Sequence, residues 1–436
     1  MKENKTINKE AIQPLPSGRL GGGCSPTLSF IRENAEADVR RLALSAKPQS
    51  GVDLRAALEQ IAGRQAAKAK LPTWHAAEGI VYPPHISMEQ CSSEHTARYK
   101  ADLAMRLAKG CDDGAAVLAD LTGGFGVDFS FMARGFSKAV YVEREGHLCA
   151  LARHNFSVLG ITRAEVVNAA CEAYLGQMGH CTLIFADPAR RDSHGARTYA
   201  VADCTPDVLA MKDELLAKAD YVVLKLSPML DWHKAVADFG SCVGEVHVVE
   251  AGGECKELLL VLSSCFNGLQ RVYCACKGGT FSYTPTEAEA ADGEARSAGY
   301  AQPLVDLAQA EEQLYMHEPS PAVMKAGCFS LLACRFGVRQ VAANSHLFVS
   351  THPCEGFPGR SFEVEAVATM NRRSLKAAFS GLMKANISVR NFPLSAPQLR
   401  QRLRLADGGD TYVFATTDSK GEKVLVRMSR AKTIKS

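Results

Sequence analysis

From residue 115 onward the chain alternates between short apolar blocks and stretches of helical period. Apolar runs at 116–120, 138–143, 164–168, 181–186, 220–226, 245–250 and 269–276 have strand length, and helical segments separate most of them. Regular alternation of this kind predicts a parallel sheet covered by helices on both faces. The apolar stretch 257–262 and the turn Asn267-Gly268 leave the direction of the last strand open. Upstream, Ile31, Ala35, Val39 and Leu42 fall on one helical stripe and Leu54, Leu58 and Ile61 on another, with Pro72 closing that region. Ser92-Ser93-Glu94 opens a helix running to about residue 107, because serines cap N-termini and an acid suits the positive end of the helix dipole. Beyond Gly278-Gly279, the Ala-, Glu- and Gly-rich stretch 287–299 reads as a linker or solvent-facing segment. A small unit follows, with a helix at 322–336 and a strand at 347–349. The last part reads strand 362–368, helix 373–383, strand 387–391, helix 396–405 and strands 412–415 and 423–426. The pattern predicts an α/β protein with an N-terminal helical extension and small C-terminal α+β modules.

Composition narrows the class. At 436 residues, with 47% apolar and 22% charged positions, the chain is expected to be soluble and to hold two or three domains. Its longest strongly apolar run, 258–262, is far shorter than a membrane span, and the first 26 residues are polar and glycine-rich without an apolar signal region. Fifteen cysteines are scattered with no Cys-x-x-Cys pair, which predicts reduced thiols and a cytoplasmic location. Neither they nor the twelve histidines show ligand spacing, so no metal is expected. The net charge of +3 is unevenly spread. Residues 361–436 carry fourteen Lys and Arg against six Asp and Glu, a net +8, which leaves −5 for the rest. A basic tail on a mildly acidic body predicts a polyanionic partner, although a solvated basic face is the plainer alternative.

Two constellations carry chemistry. The first is the run Asp120-Leu121-Thr122-Gly123-Gly124-Phe125-Gly126 after one apolar strand, with Glu143 at the end of the next, twenty-three residues after Asp120. Small residues in such a turn allow close approach of a nucleotide, and an acid at the second strand's tip can bond both ribose hydroxyls. Nicotinamide-binding turns prefer a third glycine where this chain has Phe129. S-adenosylmethionine has no pyrophosphate to cradle and tolerates a bulkier helix start, so it is the expected cofactor, with Asp120 near its amino-acid part. The second constellation is Asp187-Pro188-Ala189-Arg190-Arg191 after the strand at 181–186. Ligands of doubly wound sheets sit beyond the carboxyl ends of the strands, near the switch in strand order, so Asp120 and Asp187 are expected across one cleft. Proline stiffens the turn, and carbonyls aimed into the cleft can hold an exocyclic amino group. The Asp187 carboxylate can orient that group or take its proton.

These turns resemble those of class I S-adenosylmethionine-dependent methyltransferases, and Asp-Pro-Ala-Arg is similar to the Asp-Pro-Pro-Arg and Asn-Pro-Pro-Tyr turns of base methyltransferases. Longer blocks resemble bacterial methyltransferases with a ferredoxin-like insert and a C-terminal THUMP-like domain. They are Glu89-Gln90-Cys91-Ser92-Ser93-Glu94 with Thr96-Ala97, residues 187–191, Lys225-Leu226-Ser227-Pro228-Met229-Leu230-Asp231, Glu254-Cys255-Lys256-Glu257-Leu258, Glu318-Pro319 with 321–327, Asn391-Phe392-Pro393 and Asp407-Gly408-Gly409-Asp410. Composition and periodicity predict a disordered arm over 1–26 and a helical extension over 27–90, and the resemblance implies a Rossmann-like, S-adenosylmethionine-binding domain over 91–280. It also implies a linker and ferredoxin-like module over 281–355 and a basic, RNA-binding THUMP-like domain over 360–436. RNA, as tRNA or rRNA, is the implied partner, without membrane or metal. The expected catalytic residues are Asp187, Pro188 and Arg190. The expected cofactor residues are Asp120, Thr122, Gly123, Gly124, Gly126, Glu143, Asn168 and Ala170.

The chain departs from the pattern at two places. An adenine-contacting acid would fall at Ala170, which leaves a backbone amide, Asn168 or Glu172 for that role. Position 190 is Arg where amino-methylating enzymes often place Tyr or Phe; its guanidinium can stack on a base or bind a phosphate. Lys225 reads either as a functional group near the cleft or as a snorkelling surface lysine. No cysteine follows the Asp187 turn, which disfavours carbon-5 pyrimidine chemistry through a thiol adduct. The expected activity is methylation of an exocyclic amino group of a base in RNA. The alternatives are a small-molecule or protein methyltransferase, an inactive RNA-binding protein of the same fold and, disfavoured by Phe129, a nicotinamide oxidoreductase.

Overall fold

The computed structural model describes residues 25–46, 50–109, 115–190, 201–309 and 312–431. Residues 1–24 of the expected N-terminal arm, and Arg191, lie outside the described residues. Packing divides the chain into two compact units, Met1–Gly244 with Leu259–Gly268, and Glu245–Leu258 with Leu269–Ser436.

The first unit begins with short helices. The expected single stripe from Ile31 to Leu42 is split into Pro26–Glu33 and Val39–Ser45, because Asp38 restarts the helix by accepting from the Arg41 amide. Leu54–Lys70 follows, capped by Asp53 through the Ala56 amide. It packs Ala67 near Trp74, Tyr82, Phe125 and Phe131 in one apolar cluster. Each such large apolar side chain contributes roughly 1.5–3 kcal/mol on burial.

The parallel strands are β1 (Val117–Asp120), β2 (Lys138–Glu143), β3 (Ala164–Asn168) and β4 (Cys181–Ala186). A two-stranded ribbon of β5 (Ala189–Arg190) and β6 (Cys204–Thr205) comes next, then β7 (Ala219–Leu226). The ladder β7-β4-β1-β2-β3 is parallel throughout. The order reverses at β1, which lies between β2 and β4, so the carboxyl ends of β1 and β4 border the crevice that doubly wound sheets use for ligands. Every residue of β4 is buried, as a central parallel strand requires.

The second unit contains most of β8 (Val243–Ala251), with β10 (Arg271–Cys276) parallel to it and β11 (Gly279–Tyr283) antiparallel to β10. The stretch 257–262, left unassigned from periodicity, belongs to β9 (Glu254–Leu262). Within the first unit the strand order is β7-β4-β1-β2-β3, and within the second it is β11-β10-β8.

The stretch 287–299, expected as a linker or solvent-facing segment, is a largely exposed part of a helix, Pro285–Ala298. Thr284 and Glu287 close a capping box, and the alanines that suggested low complexity are strong helix formers. The expected helix 322–336 is broken into Pro321–Ala326 and Phe329–Phe336, because Gly327 takes a left-handed conformation (φ 76°). A seven-stranded sheet runs through both C-terminal modules. Its strands are β12 (Tyr315–Pro319), β13 (Arg339–Gln340), β14 (Phe348–Ser350), β15 (Gly359–Thr369), β16 (Asn386–Val389), β17 (Tyr412–Thr417) and β18 (Lys423–Arg430). Their order is β13-β14-β12-β15-β18-β17-β16. Phe362, Phe414, Val424, Val426 and Met428 form the core beneath it.

Candidate active site

The glycine turn leaves β1 and enters the helix Val127–Met132. Its glycines serve different ends. A Cβ on Gly123 would lie 2.2 Å from the Tyr141 ring, and one on Gly126 would lie 2.8 Å from the Phe156 ring. Aromatic packing beneath the turn therefore requires a glycine at both positions. Gly124 (φ 55°) differs, since a Cβ there meets nothing closer than the Thr122 carbonyl at 3.7 Å. Phe129, at the position of the usual third glycine, is fully buried and packs against Tyr141 and Phe156 at centroid distances of 5.5 and 5.0 Å. An aromatic cluster thus replaces the close helix–strand contact that a glycine would give.

Glu143 holds this turn. Its Oε2 accepts from the Gly124 amide at 2.9 Å and its Oε1 from the Glu145 amide at 2.8 Å. A carboxylate has about four acceptor sites, so capacity remains for ribose hydroxyls. Tyr141 completes the turn by donating its hydroxyl to the Gly124 carbonyl. Asp120, 2% exposed, accepts from the Thr122 amide at 3.0 Å. Burial pushes its pKa up to about 8, and the neighbouring Asp128, Asp187 and Glu143 charges add to the rise.

The Asp-Pro turn meets the glycine turn directly. The Asp187 amide donates to Thr122 Oγ1 at 2.6 Å, and the Leu121 amide donates to the Phe185 carbonyl at 3.0 Å. Pro188 is buried, and the Asp187 side chain is 41% exposed. Arg190 pairs with Cys204 through β5, while its side chain lies outside the described residues. Asn168 sits at the tip of β3, with its amide nitrogen donating to the carbonyls of Glu143 and Arg144 at 2.9 and 3.0 Å. Its amide thus braces the loop after β2. Ala170 caps the helix Cys171–Gln177 and offers only backbone groups.

Three charged residues at the site were not singled out by motif or were left undecided. Lys225 Nζ lies 2.6 Å from Asp187 Oδ2 and 3.6 Å from Asp128 Oδ2. Lys100 Nζ, with its side chain fully buried, lies 3.1 Å from Asp128 Oδ1 and donates to Ser92 Oγ at 3.1 Å. Ser92 in turn donates to Asp128 Oδ2 at 2.8 Å. Ser93, not Ser92, caps the helix Glu94–Ala108. Burial alone would raise the Asp128 pKa, but Lys100 and Lys225 outweigh it and the carboxyl is held below its usual range. The overlooked signal was Lys100 itself, which sits on the buried stripe Thr96, Ala97, Lys100, Leu103, Ala104 and Leu107. A lysine on an apolar stripe needs a buried partner.

The residues suit a positively charged nucleoside cofactor. Asp120, Glu143 and Asp187 converge from the ends of β1, β2 and β4, and Gly124 leaves its side-chain direction open. Among the described residues no group of His, Cys, Asp and Glu is arranged to hold a metal ion. No helix among them is long and apolar enough to cross a membrane.

Comparison with solved structures gives a match along nearly the whole chain. A putative methyltransferase from Porphyromonas gingivalis W83 is 31% identical, over 93% of this chain and 97% of its own, with a TM-score of 0.76. The chain belongs to that family of class I methyltransferases. Residues 315–358 match a ferredoxin-like domain and residues 359–430 a THUMP domain-like family. Local matches include a SAM-dependent methyltransferase from Agrobacterium tumefaciens (16% identity, 39% of this chain and 61% of that one, TM-score 0.31). Another is an rRNA methylase from Streptococcus thermophilus (14% identity, 39% and 96%, TM-score 0.28). Likeness of that degree bears on neither activity nor substrate. Among curated proteins none matches the chain.

Proposed function

We propose that this protein transfers a methyl group from S-adenosylmethionine to an exocyclic amino group of a base in RNA. The observation that carries the reading is the 2.6 Å bond from the Asp187 amide to Thr122 Oγ1, which joins the base-side turn to the cofactor-side turn. Glu143 and the Gly124 backbone would hold the ribose, and Asp120 the ammonium end of the cofactor. The bound cofactor supplies an electrophilic methyl on a sulfonium. Asp187 would accept a hydrogen of the amino group and direct the nitrogen lone pair at that methyl. The nitrogen would bond to that methyl as the carbon–sulfur pair is left on sulfur, and the surplus proton would pass from nitrogen to Asp187 and then to solvent. In-line displacement depends on alignment more than on acid–base strength, so a rigid Asp-Pro turn suits it.

The THUMP-like segment and its basic helices support RNA as the substrate. Arg372, Arg373 and Lys376 on Arg372–Phe379, and Arg402 and Arg404 at the end of Ala396–Leu403, are all exposed. Phosphate contacts of this kind position a nucleic acid, and the base is read in the pocket. Nucleoside mass spectrometry on total RNA from cells with and without the protein tests the reading. One methylated nucleoside should disappear without it. An unchanged profile, with no cofactor binding by calorimetry, would leave an RNA-binding protein of methyltransferase fold.

A further inference from the structure

A line of alternating charge runs beneath the Asp187 turn. It passes from Ser92 and Lys100 to Asp128, from Asp128 to Lys225, and ends on Asp187. Exposure rises sharply at its end. The side chains of Lys100, Asp128 and Lys225 are 0, 11 and 12% exposed, whereas that of Asp187 is 41% exposed. Buried ion pairs are poor stabilisers, since desolvation offsets most of their attraction and apolar residues of like size often serve as well. Stability therefore does not account for two lysines and an aspartate under this cleft. Their elements differ too: Lys100 is on the helix Glu94–Ala108, Asp128 on the helix after the glycine turn, and Lys225 near the end of β7. The line thus ties three rigid elements to one carboxylate.

We propose that Lys225 is a positioning residue for methyl transfer, anchored by Asp128 so that its Nζ holds Oδ2 of Asp187 and presents Oδ1 to the amino group of the substrate. Among the described residues none hydrogen-bonds Oδ1. The inference rests on the methyltransferase reading given above. Lys100 and Ser92 keep Asp128 in place from the opposite side, so Lys225 binds a fixed anion and is not drawn wholly toward Asp187. A carboxylate held at one oxygen has lost its freedom of rotation before substrate arrives, and misplacement of a reacting group by about 1 Å costs on the order of 100-fold in rate.

The test uses the full-length protein, labelled S-adenosylmethionine and RNA from cells lacking the protein. Lys225→Met should lower kcat about 100-fold while the cofactor dissociation constant, read by calorimetry, stays within about twofold. Lys225→Arg keeps a cation within reach of both carboxylates and should restore kcat to within about tenfold of wild type. Adding Lys225→Met to Asp187→Asn should cause little further loss, because both act on one carboxylate. Wild-type kcat in Lys225→Met overturns the proposal. So does an equal loss in the Met and Arg variants together with lost cofactor binding, which marks a purely structural lysine. If Lys225→Met does not fold, the Arg variant decides, since positioning requires it to retain activity. Wild-type protein that binds no cofactor overturns the methyltransferase reading itself, an outcome distinct from either variant result.

Discussion

The cleft of the first unit and the basic helices of the second handle charge in opposite ways. In the cleft, Lys100 is buried, Asp128 and Lys225 are mostly covered, and both lysines pair with Asp128. On Arg372–Phe379 and at the end of Ala396–Leu403, the side chains of Arg372, Arg373, Lys376, Arg402 and Arg404 are exposed and form no ion pair among the described residues. Buried charges act at short range and fix geometry, because the low local dielectric strengthens each contact. Exposed charges act through a field that salt screens over about 8–10 Å. The two regions should therefore fail differently when altered.

The largest effect is expected at the exposed end of the buried line. Asp187→Ala should reduce methyl transfer by roughly 10²–10⁴-fold while cofactor affinity is kept, as measured by label transfer and calorimetry. Turnover at the wild-type rate would remove Asp187 from the chemistry. Next comes the exposed set. Replacing Arg372, Arg373 and Lys376 together with alanine should weaken binding to structured RNA. It should also lower the slope of log K against log salt by about 0.9 per lost duplex phosphate contact. An unchanged slope would make these helices merely solvated. Third, Glu143→Gln should weaken cofactor binding about tenfold, the scale of one lost charged hydrogen bond. Since Glu143 also accepts from two backbone amides, Glu143→Ala would confound ribose loss with a loosened turn.

The smallest effect belongs to the cleft and is one of pH. Asp120 has its pKa raised by burial from 3.8 to about 8. The folded protein therefore binds the proton more tightly than the unfolded chain. The stability this contributes is fully present below about pH 4 and is lost as pH rises through about 8. The urea midpoint of the free protein should fall between about pH 4 and 8, and Asp120→Asn should flatten that fall. Equal slopes in the two proteins would mean that Asp120 is not buried as described.

Much of the architecture was legible from periodicity. The strand blocks at 138–143, 164–168 and 181–186 coincide with β2, β3 and β4; β4 is buried throughout and β2 over its four central residues, and such parallel strands read as plain apolar runs. The stretch 287–299 does face solvent, as one of its two expected readings had it, but its helix was missed because composition was weighed above the capping box at Thr284 and Glu287. The 322–336 helix missed its break because one glycine inside a helical pattern does not declare whether it is left-handed.

The sequence alone determined which turns exist and in what order, since a glycine run and an Asp-Pro pair are local and have local conformational consequences. Tertiary structure decided what those residues are for. Gly123 and Gly126 make room for Tyr141 and Phe156, and Lys225 reaches an aspartate 38 positions away in the chain. Thr122 and Asp187 are joined across 65 positions. Contacts at such separations arise from the packing of strands and helices, and no spacing along the chain encodes them.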